Sequence, residues 1–418
     1  MPVPAVFALD GMVRDYAWGS TSAIQQLLGR EPDGRPAAEL WFGAHADDPA
    51  SVPSLGTTLD QLIEADPEGL LGPRVVAQFG PQLPFLLKVL AADKALSIQV
   101  HPTIEQAEAG FAAEDAAGVP RDAPTRNYRD RNHKPELLCA LTVFTALCGF
   151  RPPAETVRLI DELPAVVGEA LSDVRADLDA TNESVALRAA FTRLLTLPTD
   201  DRAALVDRVV SGCRGILTRY PPLAAWADGP VGAARVVDLC ARDFPGDVGA
   251  VLSLLLNPVV LQPGEAIYLG AGNLHAYLRG MGVEIMASSD NVLRCGLTAK
   301  HVDVAELLTI TDFTPLPEPR WPDSRRAGFG VDFEVPVPDF HLHSADLDAY
   351  RKPGCDAGSC AAGTAGQPYL VLCASGAVSV EAEGTVVTLT PGHAAFVPAR
   401  EVAFTLRGTG QTFLATVG

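Results

Sequence analysis

The segment Ser97–His101 alternates polar and apolar side chains, and its polar members are of types that bind metals or substrates. In a β-strand, Ser97, Gln99 and His101 point to one face and the two apolar residues between them to the other. Three polar groups on one face in an apolar neighbourhood need partners, which a cavity or a metal ion supplies. The alternative is a solvated strand face with a surface histidine.

A second polar cluster lies in the segment YRDRNHKPEL, Tyr128–Leu137. It places His133, Lys134 and Glu136 within four residues, immediately before an apolar run that is typical of a buried strand. In an extended segment Lys134 and Glu136 share a face, and active-site groups are often held where a loop joins a rigid element. The alternative is an ordinary charged loop.

A third patch, Asn273–Lys300, combines an imidazole, a carboxylate and two cations on about two predicted strands. His275 opens the patch, and Glu284 lies between two apolar residues, which predicts a carboxylate that faces inward. Arg294 and Lys300 follow an Asp-Asn turn. This combination is unusual for a purely structural stretch.

Three of these residues form a candidate set of metal ligands. His101, Glu136 and His275 together make a His₂Glu set, which suits zinc with an open position for water or substrate. The three come from separate places in the chain, so they do not form a local metal motif. Gln99 is not an obvious fourth ligand on chemical grounds, because an amide oxygen is a weak, neutral donor.

Short strands on either side of a helical segment are predicted to hold these residues. From Val3 to about Phe150, short apolar runs are bounded by Pro, Gly and Asp, as strands are. From about Pro153 to Leu256 the pattern is helical; Thr199–Leu217, for example, has a predicted cap at its first residue and apolar residues at helical spacing. From Pro258 onward short strands and turns return.

An internal repeat suggests two related barrels. The segments LQPGEAIYLGAGNLHA, from Leu261, and LTPGHAAFVPAREVAF, from Leu389, share Leu, Pro, Gly and Ala in register. A Pro-Gly turn followed by an alternating apolar strand is typical of one edge of a small antiparallel barrel. His275 of the first copy aligns with Ala403 of the second, so the second barrel is predicted to lack this chemistry. Chance similarity is the alternative.

Composition excludes several classes of partner. The 418 residues carry a net charge of −19, which disfavours nucleic acid and anionic membranes because both are negatively charged. A phosphate substrate therefore requires a local group of Lys and Arg. The eight cysteines contain no CxxC pair, the N-terminus does not resemble a secretory signal, and no apolar run is long enough to span a membrane. We expect a soluble, cytoplasmic protein.

Two long motifs in these patches resemble the signatures of the type I phosphomannose isomerases. The first is Y-x-D-x-N-H-K-P-E at Tyr128–Glu136. The second is H-A-Y at His275, continuing through V-E-x-M-A-x-S-D-N to Arg294 and Lys300, and Y-A-W-G at Tyr16–Gly19 also matches the family. Similarity to this family is expected over the whole chain.

This resemblance implies a fold, an activity and a ligand set. The fold is mainly β, with two cupin-type (jelly-roll) barrels and a helical domain between them. The activity is the interconversion of mannose 6-phosphate and fructose 6-phosphate, with one zinc ion held by Gln99, His101, Glu136 and His275. The corresponding segments are the first part of the catalytic barrel region (1–152), the helical insertion (153–257), the completion of the catalytic barrel (258–325) and a C-terminal barrel without a metal site (326–418).

Two residues depart from the family's second signature. Cys295 stands where the family usually has Ala, and Ala299 where it usually has Pro. Both flank the cations Arg294 and Lys300 without replacing them. The departures therefore bear on how the cations are positioned and not on the family assignment.

Aldose–ketose isomerisation needs a base beside two carbons and an electrophile on their oxygens. Glu284 is the first candidate for the proton shuttle, since burial raises the basicity of a carboxylate; His133 and Lys134 are alternatives, and either could open the sugar ring. Arg294 is an active-site residue by the resemblance. The remaining candidates are Lys88, Ser97 and Lys300 as phosphate contacts and Trp18 as a pocket wall, with an ordinary core aromatic as the alternative for Trp18.

Two other functions are weighed against this one. A cupin iron dioxygenase needs open positions for oxygen and has no use for Lys88, Arg294 and Lys300. A non-catalytic sugar-phosphate-binding regulator has no use for Glu284 beside a complete ligand set. We therefore expect an enzyme that acts on a hexose 6-phosphate, binds neither nucleic acid nor membrane, and is a monomer.

Overall fold

The computed structural model describes residues 3–219, 229–321, 324–327, 330–349, 359–400 and 403–418. Helices and strands occupy similar shares of this part of the chain, so the protein is mixed α and β rather than mainly β. The expectation of a mainly β chain with a helical insertion was too narrow because five helices also occur before residue 117, in the part of the chain where the sequence pattern indicated short strands.

The strands are short, apart from one of thirteen residues. In chain order they are β1 Phe7–Leu9, β2 Met12–Arg14, β3 Glu39–Phe42, β4 Ser51–Val52, β5 Thr57–Thr58, β6 Phe85–Ala92, β7 Ile98–Val100, β8 Glu136–Ala140, β9 Phe144–Phe150, β10 Leu256–Leu261, β11 Ala266–Leu269, β12 His275–Ala287, β13 Leu293–Gly296, β14 Ser324–Ala327, β15 Gly330–Phe333, β16 His341–Asp346, β17 Ser359–Ala362, β18 Tyr369–Cys373, β19 Ala377–Ala382, β20 Thr385–Leu389, β21 Ala394–Val397, β22 Phe404–Thr409 and β23 Gln411–Thr416.

Helices concentrate between β9 and β10. The helices of the chain are α1 Ala23–Leu27, α2 Leu59–Ala65, α3 Pro67–Leu71, α4 Pro73–Phe79, α5 Ile104–Ala116, α6 Pro153–Glu162, α7 Ala165–Ala170, α8 Ser172–Leu178, α9 Glu183–Thr196, α10 Thr199–Leu217, α11 Gly229–Asp243, α12 Gly249–Leu252 and α13 Val304–Ile310, with a 3₁₀ turn at Ser253–Leu255. Within the described residues, no helix combines the length and hydrophobicity that a membrane span requires.

Ten strands form one sheet, which we call the first β-region: β2, β3 and β6 to β13. The long strand β12 connects its parts, because its first half pairs with β9 and β7 and its second half with β6 and β8. Gly280, at the junction of the halves, has φ 121°. An added Cβ there would lie 2.7 Å from the carbonyl oxygen of Val143, so glycine permits both the bend and the close approach.

The second β-region contains a seven-stranded sheet, in the order β1-β21-β18-β23-β16-β15-β14, and a four-stranded sheet, in the order β17-β22-β19-β20. In β19 buried residues alternate with partly or fully exposed ones, as in a strand with one face on the core. Strand β1 belongs here because Phe7 pairs with Phe396 of β21. The start of the chain thus joins the sheet formed by its end.

The two β-regions repeat one strand arrangement, and the repeat inferred from the sequence lies within it. Strands β11 and β21 begin at the same distance from Leu261 and Leu389, the last residues of β10 and β20. Strand β8 pairs with β11 and β12, just as β18 pairs with β21 and β23. Strand β9 pairs with β10 and β12, as β19 does with β20 and β22.

The repeat also locates the helical insertion. In the second β-region β19 and β20 are joined by the turn Glu383–Gly384, whereas in the first β-region residues 151–255 lie between the equivalent strands. The buried faces of α6 and α8 to α11 share a core with β9 and β13. Helix α10 begins at Thr199 as predicted, but the expected Thr199 cap is wrong: Pro198 is the N-cap and no side chain caps the helix.

Candidate metal and sugar-phosphate site

Strand pairing brings two distant polar residues together. Gln99 lies in the middle of β7 and His275 is the first residue of β12, and the two are cross-strand partners. The amide end of Gln99 lies 3.2 Å from Nε2 of His275. Gln99 therefore lies beside an imidazole that its residue type had already marked as a candidate ligand.

His101 and Glu136 complete the cluster. His101 follows β7, and its Nε2 lies 3.4 Å from Oε1 of Glu136, the first residue of β8. The other carboxylate oxygen of Glu136 lies 3.4 Å from Nε2 of His275. The candidate ligand atoms of these three residues all lie within 4.8 Å of one another. Three segments separated in sequence thus converge on one point.

The ring orientation of both histidines is fixed by backbone carbonyls. Nδ1 of His101 lies 2.7 Å from the carbonyl oxygen of Asn291, and Nδ1 of His275 lies 3.0 Å from that of Asn273. A carbonyl only accepts, so Nδ1 carries the proton and Nε2 presents its lone pair to the cluster. Such outer hydrogen bonds are typical of metal-binding histidines.

Three members of the cluster are buried, and two of their polar atoms have no hydrogen-bond partner in the described part of the chain. His101, Glu136 and His275 are between 0% and 2% exposed. Nε2 of His101 and Oε2 of Glu136 have no hydrogen-bond partner among the described residues. Buried polar atoms without partners are costly. A metal ion bound by two imidazoles and a carboxylate, with the Gln99 amide beside them, satisfies them, and this donor set suits zinc.

Electrostatics keep these groups in the form that binds a metal. Burial, with smaller effects from Lys134 and His275, lowers the pKa of His101 to about 4. Burial by itself raises the pKa of Glu136, but His101 and Lys134 beside it hold that pKa well below its ordinary value. At neutral pH the imidazole is therefore neutral and the carboxylate ionised.

A buried ion-pair network lies next to the cluster. Glu284, on β12, is 2% exposed, as an inward-facing carboxylate should be. Its Oε1 accepts a hydrogen bond from the Tyr277 hydroxyl at 2.8 Å, and its Oε2 accepts one from Nζ of Lys88 at 3.2 Å. Lys88 also lies 3.7 Å from Glu39, which accepts a hydrogen bond from the Trp41 indole at 2.8 Å.

These contacts set the charges of Lys88 and Glu284. Burial acts to lower the pKa of Lys88, but Glu39 and Glu284 raise it above its ordinary value, so Lys88 is an ammonium ion. Burial raises the pKa of Glu284, and the charge of Lys88 opposes that rise. Lys88 lies between two carboxylates, which favours a counter-ion role over the predicted phosphate contact.

Lys134 and His133 point to different partners. Nζ of Lys134 lies 3.4 Å from Oε1 of Glu136, so this lysine faces the cluster. Nε2 of His133 lies 3.0 Å from Oδ2 of Asp339, a 3% exposed carboxylate of the second β-region. Among the described contacts, His133 has none with the four clustered residues. The structure therefore places Lys134, but not His133, against the candidate ligands.

A group of cations lies on the other side of Gln99. Arg294 is the cross-strand partner of Gln99. Burial and the charge of Arg129 lower the pKa of Arg294, and Arg294 is the main cause of a lowered pKa at Lys300. No carboxylate of the described chain forms an ion pair with any of the three. In a protein of net charge −19, three neighbouring cations without a carboxylate partner among the described residues create a local positive charge that attracts anions.

The positions of the last two predicted residues, Ser97 and Trp18, say less about their predicted roles. Ser97 is half-buried immediately before β7, on the strand face of Gln99. Trp18 packs against the apolar cluster that contains Tyr277, and its ring stacks on Tyr16 at 5.8 Å between centroids. The contacts of Trp18 fit the alternative of a core aromatic.

A second cluster, formed by His45, Asp47 and Asp290, differs from the first. Nδ1 of His45 accepts a hydrogen bond from the Asp47 backbone at 3.3 Å, and Nε2 lies 3.6 Å from Asp290. Both ring nitrogens thus have partners, and both carboxylates are exposed. The buried unpartnered atoms that distinguish the first cluster are missing from this part of the described structure.

Sequence reasoning missed several residues that orient the site. Asn291 and Tyr277 lie inside the second motif, whose length was a signal for them. Glu39 lies two residues before Trp41 in a strand, and Asp339 lies more than two hundred residues from its partner His133. No local pattern therefore marks either residue. Arg129 was overlooked although it could have been found, because it is a basic residue within the first motif.

Comparisons with known proteins agree with one another. Residues 6–153 match the family model "Phosphomannose isomerase type I, catalytic domain". Mannose-6-phosphate isomerase of Escherichia coli (strain K12) is 37% identical over 411 residues, which cover 96% of this chain and 97% of that protein. The enzyme of the same name from Bos taurus is 31% identical, with 99% and 95% covered.

Solved structures resemble the whole chain. A mutant of phosphomannose isomerase from Salmonella typhimurium superposes with a TM-score of 0.87 at 35% identity, covering 99% of this chain and 100% of that one. A zinc-bound mannose 6-phosphate isomerase superposes with a TM-score of 0.86 at 35% identity and the same coverage.

Proposed function

Because the chain belongs to the type I mannose-6-phosphate isomerase family, we propose that it interconverts D-mannose 6-phosphate and D-fructose 6-phosphate as a zinc-dependent enzyme. The observation that carries this is the buried group His101, Glu136 and His275, whose unpartnered atoms face one another beside a carboxylate and an ammonium ion. The family predicted from the two sequence motifs is confirmed. Neither the dioxygenase nor the regulator is supported by these relatives.

We propose Gln99, His101, Glu136 and His275 as the ligands of one zinc ion per chain. Their convergence, their burial and the carbonyl-held Nδ1 atoms support this set. Two neutral imidazoles, a neutral amide and one carboxylate leave the bound ion a net positive charge. When bound, zinc supplies a Lewis acid that polarises the sugar's carbonyl group and stabilises negative charge on the adjacent oxygens.

Glu284 is the proposed proton shuttle, and Lys134 is the alternative nearest the ligands. As base, the Glu284 carboxylate takes the proton from C2 of open-chain mannose 6-phosphate, giving an enediolate. Return of that proton to C1, with transfer of the O2 hydroxyl proton to O1, gives fructose 6-phosphate. The hydrogen bonds from Tyr277 and Lys88 hold the carboxylate in place during both transfers. His133, engaged with Asp339, is better suited to opening the sugar ring at the rim.

Arg294 and Lys300 are proposed to bind the phosphate, with Ser97 as a hydroxyl donor and Arg129 as an added cation. Burial and the charge of Arg129 lower the pKa of Arg294, and the charge of Arg294 lowers that of Lys300, so a dianionic phosphate would relieve the repulsion that these cations exert. Lys88 is reassigned from the phosphate to the counter-ion of Glu284. Trp18 is proposed as a core aromatic, because it packs against the apolar cluster that contains Tyr277.

The architecture is proposed to be two cupin barrels. Strand pairing supports a catalytic barrel built from residues 1–152 and 258–325, a helical insertion at 153–257 and a barrel without metal at 326–418, with β1 joining the latter. A monomer is proposed because one chain supplies every candidate ligand. The cytoplasm is proposed because the six cysteines with described side chains are all free and buried.

A coupled assay on mannose 6-phosphate tests the proposal. The full chain is assayed as purified, after chelation, and after separate addition of zinc or ferrous iron. We expect activity to disappear with chelation and to return with zinc. Activity that survives complete removal of metal, or absence of turnover with zinc bound, would contradict the proposal.

A further inference from the structure

The turn between the two proposed phosphate-binding cations has an unusual backbone. Leu297 has φ 53° although it carries a branched side chain, and it is fully buried. Such left-handed conformations are unfavourable for residues other than glycine and persist only where the surroundings hold them. Arg294 precedes this turn on β13 and Lys300 follows it. The conformation of the turn therefore decides where both cations lie.

Asp247, in the loop between α11 and α12, holds this turn from the helical insertion. Its Oδ1 accepts hydrogen bonds from the backbone N–H groups of Leu297, at 2.8 Å, and Gly249, at 2.6 Å. Its Oδ2 accepts one from Thr298 at 3.2 Å. The Thr298 hydroxyl in turn accepts a hydrogen bond from the Lys300 backbone at 3.0 Å. One carboxylate thus fixes the backbone as far as Lys300.

The insertion and the turn also meet backbone to backbone. A Cβ added to Gly296 would lie 2.8 Å from Cα of Gly249, and one added to Gly249 would lie 2.6 Å from N of Leu297. Both distances are too short for any side chain, so glycine is needed on each side. This contact brings the loop of the insertion against the end of β13.

Side-chain packing alone does not hold the turn. A cavity of about 370 Å³ borders it, lined by Asp247 and Thr298 together with Arg202 and Val302. Because there is empty space on this side, loss of the Asp247 hydrogen bonds leaves the turn room to relax. A shift would reach Arg294 first, because the pairing of β13 with β7 becomes irregular between Arg294 and Gly296, at the start of the turn.

We propose that Asp247 is a positioning residue for substrate binding: through the turn at residues 296–298 it sets Arg294 and Lys300 at the spacing that a sugar phosphate requires. This inference rests on the proposed function, which places the phosphate on those two cations. It gives the helical insertion a part in recognition of the substrate, although Asp247 itself touches no substrate.

The test uses the zinc-loaded full chain and Asp247→Asn. Asparagine keeps the shape but loses the charge and one acceptor atom. We expect the KM for mannose 6-phosphate and the inhibition constant of inorganic phosphate each to rise about tenfold, with kcat changed less than about threefold. A merely structural role would lower the melting temperature or yield and leave both constants unchanged.

A matched pair of glycine variants tests the same turn with the Asp247 carboxylate kept in the chain; a Cβ added to Gly249 would lie 2.9 Å from Oδ1 of Asp247 as well as against the turn. Gly249→Ala pushes against the Leu297 backbone, whereas Gly215→Ala on α10 meets no atom within 4 Å. The first should raise both constants and the second neither, and Gly249→Ala decides the matter where Asp247→Asn does not fold. Both constants within twofold of the parent in a folded Asp247→Asn or Gly249→Ala variant would overturn the inference.

Failure of the proposed function can be distinguished from failure of the inference about Asp247. If the parent chain does not isomerise mannose 6-phosphate, the proposed function fails. Calorimetric titration of parent and Asp247→Asn with inorganic phosphate still reports on the inference in that case: equal affinities overturn it, and a weaker affinity in the variant supports it.

Discussion

The two β-regions share a strand arrangement but differ at the positions that do chemistry. Leu269 pairs with Glu136 and the equivalent Val397 pairs with Tyr369, so Tyr369 occupies the place of Glu136. Leu138 pairs with Glu284, and the equivalent strand position pairs with Leu414. The second β-region therefore has apolar or aromatic residues where the first has buried carboxylates.

Apolar packing replaces the ligand cluster in the second β-region. Ala403 is aligned with His275, and the next residue, Phe404, packs against Tyr369 with 5.3 Å between ring centroids. Leu414 is 4% exposed. The same architecture thus forms without any of the charged groups. Since buried charges are costly unless paired, the charges of the first β-region are explained by chemistry and not by folding.

The largest expected effect tests whether the first β-region, and not the second, binds the metal ion. His275→Ala removes a ligand from a closed cluster, so we expect loss of stoichiometric zinc and a fall in kcat of at least about 10³-fold. Tyr369→Phe, at the position equivalent to Glu136, is the control and should keep one zinc per chain and full activity. Zinc content and turnover are measured together. Stoichiometric zinc in His275→Ala would show that the ligand set is wrong.

Glu284→Gln tests whether the Glu284 carboxylate, which has no equivalent in the second β-region, transfers the C2 proton of the sugar. We expect kcat to fall by about 10²–10⁴-fold while zinc stays bound, because the amide has the same shape but cannot act as a base. Exchange of the C2 proton of mannose 6-phosphate with solvent should slow by the same factor. Unreduced exchange would exclude Glu284 and favour Lys134.

The buried ion pair of Lys88 and Glu284 can be replaced by apolar side chains, like those of the second β-region. Lys88→Met alone leaves Glu284 and Glu39 buried without their cation and should lower the free energy of unfolding by about 3–5 kcal/mol. Adding Glu284→Leu, as in the second β-region, should recover at least about 1 kcal/mol of that loss. Denaturant unfolding measures both variants. Additive losses would mean that the two side chains do not compensate each other's charge.

The smallest expected effect concerns the contact of His133 with Asp339 of the second β-region. Asp339→Asn weakens the charge-assisted hydrogen bond to His133, so we expect kcat to fall about fivefold with KM for mannose 6-phosphate nearly unchanged. Asp339→Glu should recover part of the loss. A KM change without a kcat change would indicate that His133 contributes to binding and not to a chemical step.

Much of the site was predictable because its residues are of unusual types for buried strands. His101, Glu136 and His275 were selected by chemistry alone, and the structure places them together; Gln99 came from the resemblance and lies with them. The repeat and the helical pattern after Phe150, where α6 begins at Pro153, were predictable because periodicity and Pro-Gly turns are local signals.

The rest depended on contacts between distant segments. The ion pairs of Lys88 could not be predicted, because Glu39 and Glu284 come from two neighbouring strands and the pairing of strands is not readable from any one of them. Strand β1 joins the opposite end of the chain for the same reason. The predicted cap of α10 was wrong because Pro198, with its fixed φ, takes the N-cap position, and Thr199 is the first residue of the helix.

The central claim is that the first β-region alone binds one zinc ion and that this ion is required for isomerisation. Stepwise addition of zinc to the metal-free chain, with bound zinc counted and turnover of mannose 6-phosphate measured at each step, tests it directly. We predict activity that rises in proportion to bound zinc and reaches its plateau at one ion per chain. Full activity without zinc, or a plateau at two ions per chain, would contradict it.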